Sequence, residues 1–270
     1  MKQNVVTDEY LALQRGVIER QQEAKSRIQQ QVLEEIKQWD DEVLTLPVVP
    51  QSSIPFNSDQ YQEVVNDMID YLKETTTGLE ESLNQLQTWV KEAPIKECMK
   101  RALEFDTEYF LSEAEKHDVS PWMPHYIAEQ ALRPFLQVVA EHLAAKKLPL
   151  NGEKQCPCCG EPARLATLEK SGEKWLACPR CEMTWQQKRL VCIHCQYDNH
   201  DSLSYITVEE DEIAHAEVCS HCHKYLKVID KRKTFVKKST ALLDLETIHL
   251  DFIVQEEGYK EARDDDEGVS

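Results

Sequence analysis

Cys156-Pro157-Cys158-Cys159-Gly160 is the stretch on which the fold turns. It holds a CxxC pair, Cys156 and Cys159, and three more pairs follow: Cys178/Cys181, Cys192/Cys195 and Cys219/Cys222. Two cysteines this close are poorly placed to bond to each other, but a tight turn can aim both sulfurs at one ion. The intervals between the pairs are 18, 10 and 23 residues. The two outer intervals suit a β-hairpin between two metal-binding turns, the zinc-ribbon and rubredoxin layout. Soft thiolates hold Zn²⁺ or iron strongly and fill all four tetrahedral corners. The reading assigns Cys156, Cys159, Cys178 and Cys181 to one four-cysteine site and Cys192, Cys195, Cys219 and Cys222 to a second. A crossed pairing between the halves stays open at the level of spacing.

Pro157 stiffens the first turn, and Gly160 suits the left-handed backbone that turns N–H groups toward sulfur. Glu182, Gln196 and His223 stand where the first turn has its glycine, which predicts looser turns there. Cys158 reads as an outward bystander and Cys98 as a small buried hydrophobe in a helix. His194 and His221 read as surface turn residues, since a full cysteine set exists without them. Four sulfurs close a coordination sphere, so a hydrolytic metal site is disfavoured. The ions are expected to be structural, because two small hairpins have little core of their own.

Outward from the cysteines the composition changes. Nine of the ten cysteines lie in residues 151–235, which carry 12 basic and 13 acidic side chains. Residues 1–150 carry 15 and 26, and residues 236–270 carry 4 and 10. The whole chain of 270 residues is −18, a charge that repels phosphate backbones and disfavours nucleic acid as a partner. Lys231-Arg232-Lys233 and Lys237-Lys238 are its basic cluster, read as a solvated linker. No run of 18 apolar residues is present, so membrane insertion is not expected. MKQNVVTDEY has neither an apolar h-region nor a twin arginine, which predicts a cytoplasmic, reducing location.

Residues 1–147 read as helical. Thr7 caps a first helix with Leu11, Ile18, Ile28, Val32, Leu33 and Ile36 on its apolar side. Leu46 to Phe56, with three prolines, reads as a link. Tyr61, Val64, Val65, Met68, Ile69 and Leu72 form the next stripe, and Leu79–Val90 and Ile95–His117 read as two further helices. A fifth carries Ile127, Ala131, Leu132, Phe135, Val138, Val139 and Leu143, with a kink or break expected at Pro134. In the middle segment Arg164–Leu168, Lys174–Ala177, Leu203–Val208 and Ile213–Val218 read as short hairpin strands. Thr240–Gln255 reads as one docking helix, apolar around much of its girth.

The expected fold is therefore multi-domain α+β. An α-helical bundle over 1–150 precedes two rubredoxin or zinc-ribbon-like subdomains, 151–190 and 191–235. A C-terminal docking helix over 236–260 and a disordered acidic tail over 261–270 follow. No nucleophile elbow, P-loop or Rossmann glycine pattern occurs among only 7 glycines, so the chain reads as a non-enzyme.

The sequence resembles the formate dehydrogenase accessory proteins, the FdhE-like family. The resemblance rests on the four CxxC pairs in this order, on Leu203-Ser204-Tyr205-Ile206 and on Cys219-x-x-Cys222-x-x-Tyr225-Leu226-Lys227-Val228-Ile229-Asp230. It also rests on Leu243-Asp244-Leu245-Glu246-Thr247-Ile248-His249-Leu250-Asp251, on Glu257-Gly258-Tyr259 and on Arg133-Pro134-Phe135. It covers residues 120–260. The resemblance implies a non-catalytic assembly chaperone that contacts the catalytic subunit of formate dehydrogenase, with iron, or zinc on the same ligands, in its two ribbons. Tyr225 and Lys227 are candidate partner contacts. A rubredoxin-like electron-transfer or thiol-redox protein, and a ribbon-type nucleic-acid binder, are the rival readings.

Overall fold

The structure, a computed structural model, describes residues 5–37, 44–51, 56–146, 150, 153–188, 190–209, 211–234 and 236–262. Leu11–His142 form one compact unit, and the described residues from Leu143 onward form the body of another.

The first unit is built from α1 (Asp8–Ile36), α2 (Val48–Gln51), α3 (Ser58–Thr75), α4 (Glu80–Glu92), α5 (Ile95–Leu103), α6 (Thr107–Lys116) and α7 (Met123–Ala145). Their apolar stripes explain their docking. On α3, Tyr61, Val64, Val65, Met68, Ile69 and Leu72 are all buried, and the Asn57 side chain caps its first turn. Phe135 of α7 lies at the centre, its ring 5.2 Å from Phe56 and 6.2 Å from Tyr61. The helix expected from Ile95 to His117 is two helices. Phe105 takes a positive φ of 57°, and Asp106 then caps α6 by accepting from the Tyr109 N–H. Within the link expected from Leu46 to Phe56, Val48–Gln51 makes a single helical turn.

Pro134 does not end its helix; α7 continues through it. A proline there removes the N–H that would bond the carbonyl of Gln130. That carbonyl instead accepts from the Gln21 side chain at 3.1 Å, and Gln21 reaches the Gln130 side chain as well at 2.8 Å. A buried glutamine of α1 thus satisfies the group the proline leaves open.

The second unit is one six-stranded sheet with two helices on it. Its strands are β1 (Leu165–Leu168), β2 (Lys174–Ala177), β3 (Thr184–Gln187), β4 (Leu203–Thr207), β5 (Ala214–Cys219) and β6 (Tyr225–Asp230), in the order β3-β2-β1-β6-β5-β4. Each ribbon supplies three antiparallel strands, and the two are fused by parallel pairing of β1 with β6, from Leu165↔Lys227 to Leu168↔Asp230. The sequence suggests two separate hairpins; the structure makes them one sheet.

The expected C-terminal helix is two, α8 (Thr240–Glu246) and α9 (Ile248–Glu256). Thr247 interrupts it, its hydroxyl donating to the Leu243 carbonyl at 2.8 Å. Leu250 packs with Leu165, Ala214 and Ile229, and Val254 packs with Ala216, Val218 and Tyr225. Fully burying such side chains is worth about 1.5–3 kcal/mol each. Phe252 stays half exposed, so α9 docks by one side only. Glu261 and Ala262, expected in the tail, bond the sheet through Tyr225 and Lys224; the rest of the acidic tail lies outside the described residues. No helix among the described residues is long and apolar enough to cross a membrane.

Candidate metal centre

All four CxxC turns share one backbone geometry. The N–H of the first cysteine donates to the carbonyl five residues on: Cys156 to Glu161 at 2.7 Å, Cys178 to Met183 at 2.9 Å, Cys192 to Tyr197 at 3.1 Å and Cys219 to Lys224 at 3.0 Å. The residue after the second cysteine donates back to the first: Gly160, Glu182, Gln196 and His223, at 2.9, 3.0, 2.9 and 2.9 Å. Their φ values are 79°, 63°, 60° and 56°. The looser turns expected from the missing glycines are not found, because the paired hydrogen bonds hold the left-handed conformation.

That conformation costs a side chain about 1–2 kcal/mol. His223 is exposed, and among the described residues its ring makes a loose contact with Tyr259, centroids 6.2 Å apart. His223→Gly is expected to stabilise the metal-loaded protein by about 0.5–1 kcal/mol. A thermal midpoint that stays put or falls would show the turn to be unstrained. Glu182 differs, because its carboxylate caps α8, accepting from the N–H groups of Thr240 at 2.8 Å and Ala241 at 3.3 Å. The first ribbon is thereby tied to the helix that covers the sheet.

The sulfurs of Cys156, Cys159, Cys178 and Cys181 lie within 4.8 Å of one another, and so do those of Cys192, Cys195, Cys219 and Cys222. The geometry selects consecutive rather than crossed pairing. In the first cluster Cys156 and Cys181 are 3.4 Å apart and Cys159 and Cys178 3.6 Å. In the second, Cys192 and Cys222 are 3.7 Å apart and Cys195 and Cys219 3.8 Å. A tetrahedron with metal–sulfur bonds of about 2.3 Å has sulfurs about 3.8 Å apart, so both clusters fit a zinc-sized ion. Both can therefore hold a metal through four sulfurs. A zinc ion there would supply a closed crosslink, and iron would add one-electron chemistry.

The surroundings differ between the clusters. Burial raises the Cys156 and Cys181 thiols well above the ordinary range. Burial also opposes ionisation of Cys159, yet hydrogen bonds from Cys156, Cys178 and Cys181 and the charge of Arg180 hold it well below that range. In the second cluster burial pushes Cys222 up to about 11. Burial works against ionisation of Cys219 too, but the N–H groups of Cys222 and His221 bring it down.

Several residues sit where sequence did not put them. Cys158 is fully buried rather than outward, although it belongs to neither tetrahedron. His194 is partly buried, with Nε2 2.9 Å from the Tyr225 carbonyl. His221 is the exposed turn residue expected, and it stacks on Tyr197, centroids 4.3 Å apart. Tyr225 and Lys227 point inward and have almost no surface for a partner, at 3% and 2% exposed. Lys227 Nζ lies 2.8 Å from Asp244 Oδ1 and 2.7 Å from Asp251 Oδ2. Arg164 reaches Asp244 at 2.9 Å and Glu161 at 3.0 Å, and the Tyr225 hydroxyl donates to Asp251 at 3.0 Å. The stretches Tyr225–Asp230 and Leu243–Asp251 therefore meet in one buried ionic network between sheet and helices. Sequence reasoning missed it, although the basic and acidic residues inside otherwise apolar runs were its signal.

Residues 190–265 match the family model described as FdhE, C-terminal domain. That interval covers the second ribbon and both C-terminal helices. Over these residues the chain is similar to FdhE. A protein of Aquifex aeolicus (strain VF5) named "Protein FdhE homolog" is 28% identical over 152 residues, 52% of this chain and 53% of that one. One of Pectobacterium carotovorum subsp. carotovorum (strain PC1), with the same name, is 30% identical over 155 residues, 55% of this chain and 48% of that one. The chain thus spans about half the length of these FdhE relatives. The crystal structure of the FdhE protein from Pseudomonas aeruginosa has the same fold, with a TM-score of 0.52 at 22% identity over 76% of this chain and 68% of that one.

Proposed function

We propose that this chain is a non-catalytic accessory protein for formate dehydrogenase, an assembly chaperone that binds the enzyme's catalytic subunit in the cytoplasm. The FdhE match over residues 190–265 carries the reading, because it spans the second sulfur cluster and the two helices that the ionic network joins to the sheet. In this reading residues 151–190 and 191–235 are the ribbons, each holding one iron or zinc ion. The helix pair within 236–260 backs them, and the helical domain of residues 1–150 supplies further contact surface. With 15 basic and 26 acidic side chains, that domain suits a basic segment of the client, whose encounter complementary charge would speed.

The test is co-purification of the tagged chain with the catalytic subunit. Retention at low salt, weakening as salt rises to physiological levels, is expected. No retention at any salt refutes the partner; retention indifferent to salt refutes the charge argument.

A second reading, electron or thiol redox transfer, draws support from Cys195 and Cys222, which reach the surface. Its electron-transfer form requires iron, so anaerobically purified protein would absorb visible light; colourless protein with two zinc ions would oppose it. The nucleic-acid reading loses ground to pairing. Lys231 binds Glu169 at 2.8 Å, Arg232 binds Asp230 at 2.8 Å and Lys233 bonds the Glu212 carbonyl at 2.7 Å, so the basic cluster is largely neutralised.

A further inference from the structure

We infer that the two sulfur clusters have different tasks: Cys192, Cys195, Cys219 and Cys222 form the exchangeable metal site, and Cys156, Cys159, Cys178 and Cys181 form a locked one, with Arg180 as its built-in counter-charge. The inference rests on the reading that each cluster holds one ion.

Access is the first argument. Metal leaves a four-thiolate site when an outside ligand or a proton reaches a sulfur. In the first cluster the cysteines are 0%, 1%, 2% and 0% exposed, so no sulfur offers an approach. Its closing knuckle is also tied down, because Glu182, directly after Cys181, caps α8. In the second cluster Cys192 and Cys219 are buried, but Cys195 and Cys222 are partly exposed. One edge of that tetrahedron faces solvent, beside the stacked pair Tyr197 and His221.

Charge is the second argument. Four thiolates around a divalent ion carry a net charge of −2. A charge taken out of water needs a counter-charge. Arg180 lies between Cys178 and Cys181 and is 2% exposed, a buried cation whose charge acts on the Cys159 thiol. The second cluster's turns contain Ile193-His194 and Ser220-His221, with no lysine or arginine between the paired cysteines. Cys195 and Cys222 are instead open to solvent. Exposure to solvent makes the second cluster labile, and a fixed guanidinium makes the first cluster inert. Arg180 acts on the ion through the sulfurs and is a positioning residue.

The experiment loads full-length protein with two zinc ions per chain and follows release into excess EDTA with a metal-sensitive dye. Two phases of one ion each are expected. Cys222→Ser removes the fast phase. Arg180→Leu speeds the slow phase by roughly 10–100-fold and leaves the fast one alone, while Arg180→Lys keeps the slow phase slow. A single phase releasing both ions overturns the inference and leaves the metal reading standing; a chain that binds no zinc overturns both. Timed alkylation of the zinc-loaded wild type with iodoacetamide, read by peptide mass spectrometry, needs no variant. Cys195 and Cys222 are expected to label before Cys156, Cys159, Cys178 and Cys181, and the reverse order overturns the assignment.

Discussion

Cys219→Ser is expected to leave one metal ion per chain in place of two and to lower the thermal midpoint of the sheet unit by more than about 10 °C. A structural zinc in a small module supplies roughly 10–16 kcal/mol of apparent binding energy, and a serine oxygen cannot replace a soft thiolate. Losing even a third of that, about 3–5 kcal/mol, equals the loss of one or two buried core side chains. Cys219 also ends β5, which pairs with both β4 and β6, so the loss spreads beyond one knuckle. Because β1 runs parallel with β6, the first ribbon should soften while keeping its ion. Metal analysis and a melting curve on the same sample check this. Two ions with an unshifted midpoint would remove Cys219 from the ligand set.

Much of the ribbon architecture is legible because its signals are local. Cysteine spacing places the turns, and the alternating stretches at Leu203 and Ile213 place β4 and β5. The stripe from Tyr61 to Leu72 is a 3.6-residue pattern on one side of one helix, and all six of its residues are buried. What sequence leaves out depends on partners distant in the chain. β6 is buried along its whole length, so Lys227 and Asp230 sit inside a strand with no polar side, and alternation gives no signal. β3 reads Thr-Trp-Gln-Gln, too polar to announce a strand, and becomes one by pairing with β2. The parallel β1–β6 step joins Leu165 to Lys227, beyond the reach of any hairpin rule. Pro134 is misleading for the same reason: whether it breaks α7 is decided by Gln21, far back on α1. Cys158 looks like a spectator in its own turn because only the assembled ribbon shows that its side is the inner one.

Lys227→Met is expected to destabilise the sheet unit by about 3–5 kcal/mol, more than its change in size would explain. The side chain is 2% exposed and its ammonium meets Asp244, Asp251 and the Asp244 carbonyl, all within 2.9 Å. Removing it does not leave a neutral cavity. Asp244 keeps Arg164, but Asp251 keeps only the Tyr225 hydroxyl among these partners. Burial already raises the Asp251 carboxyl against the pull of Lys227, so without the lysine its charged form is stranded. Asp244 is the opposite case: burial opposes its charge, but Arg164 and Lys227 hold it below the usual aspartate range. A carboxyl depressed in the folded state stabilises above its unfolded pKa and loses that contribution as pH falls through the folded value. The wild type should therefore lose stability below about pH 4, and Lys227→Met should lose less there because part of the depression is gone. The decisive comparison is the double variant Lys227→Met/Asp251→Asn. If the penalty is an orphaned charge, the double variant is more stable than Lys227→Met alone; if it is lost packing, the second change makes matters worse. Denaturant midpoints of the three proteins at pH 7 separate the two, and a double variant weaker than the single would refute the electrostatic account of how the sheet holds its helices.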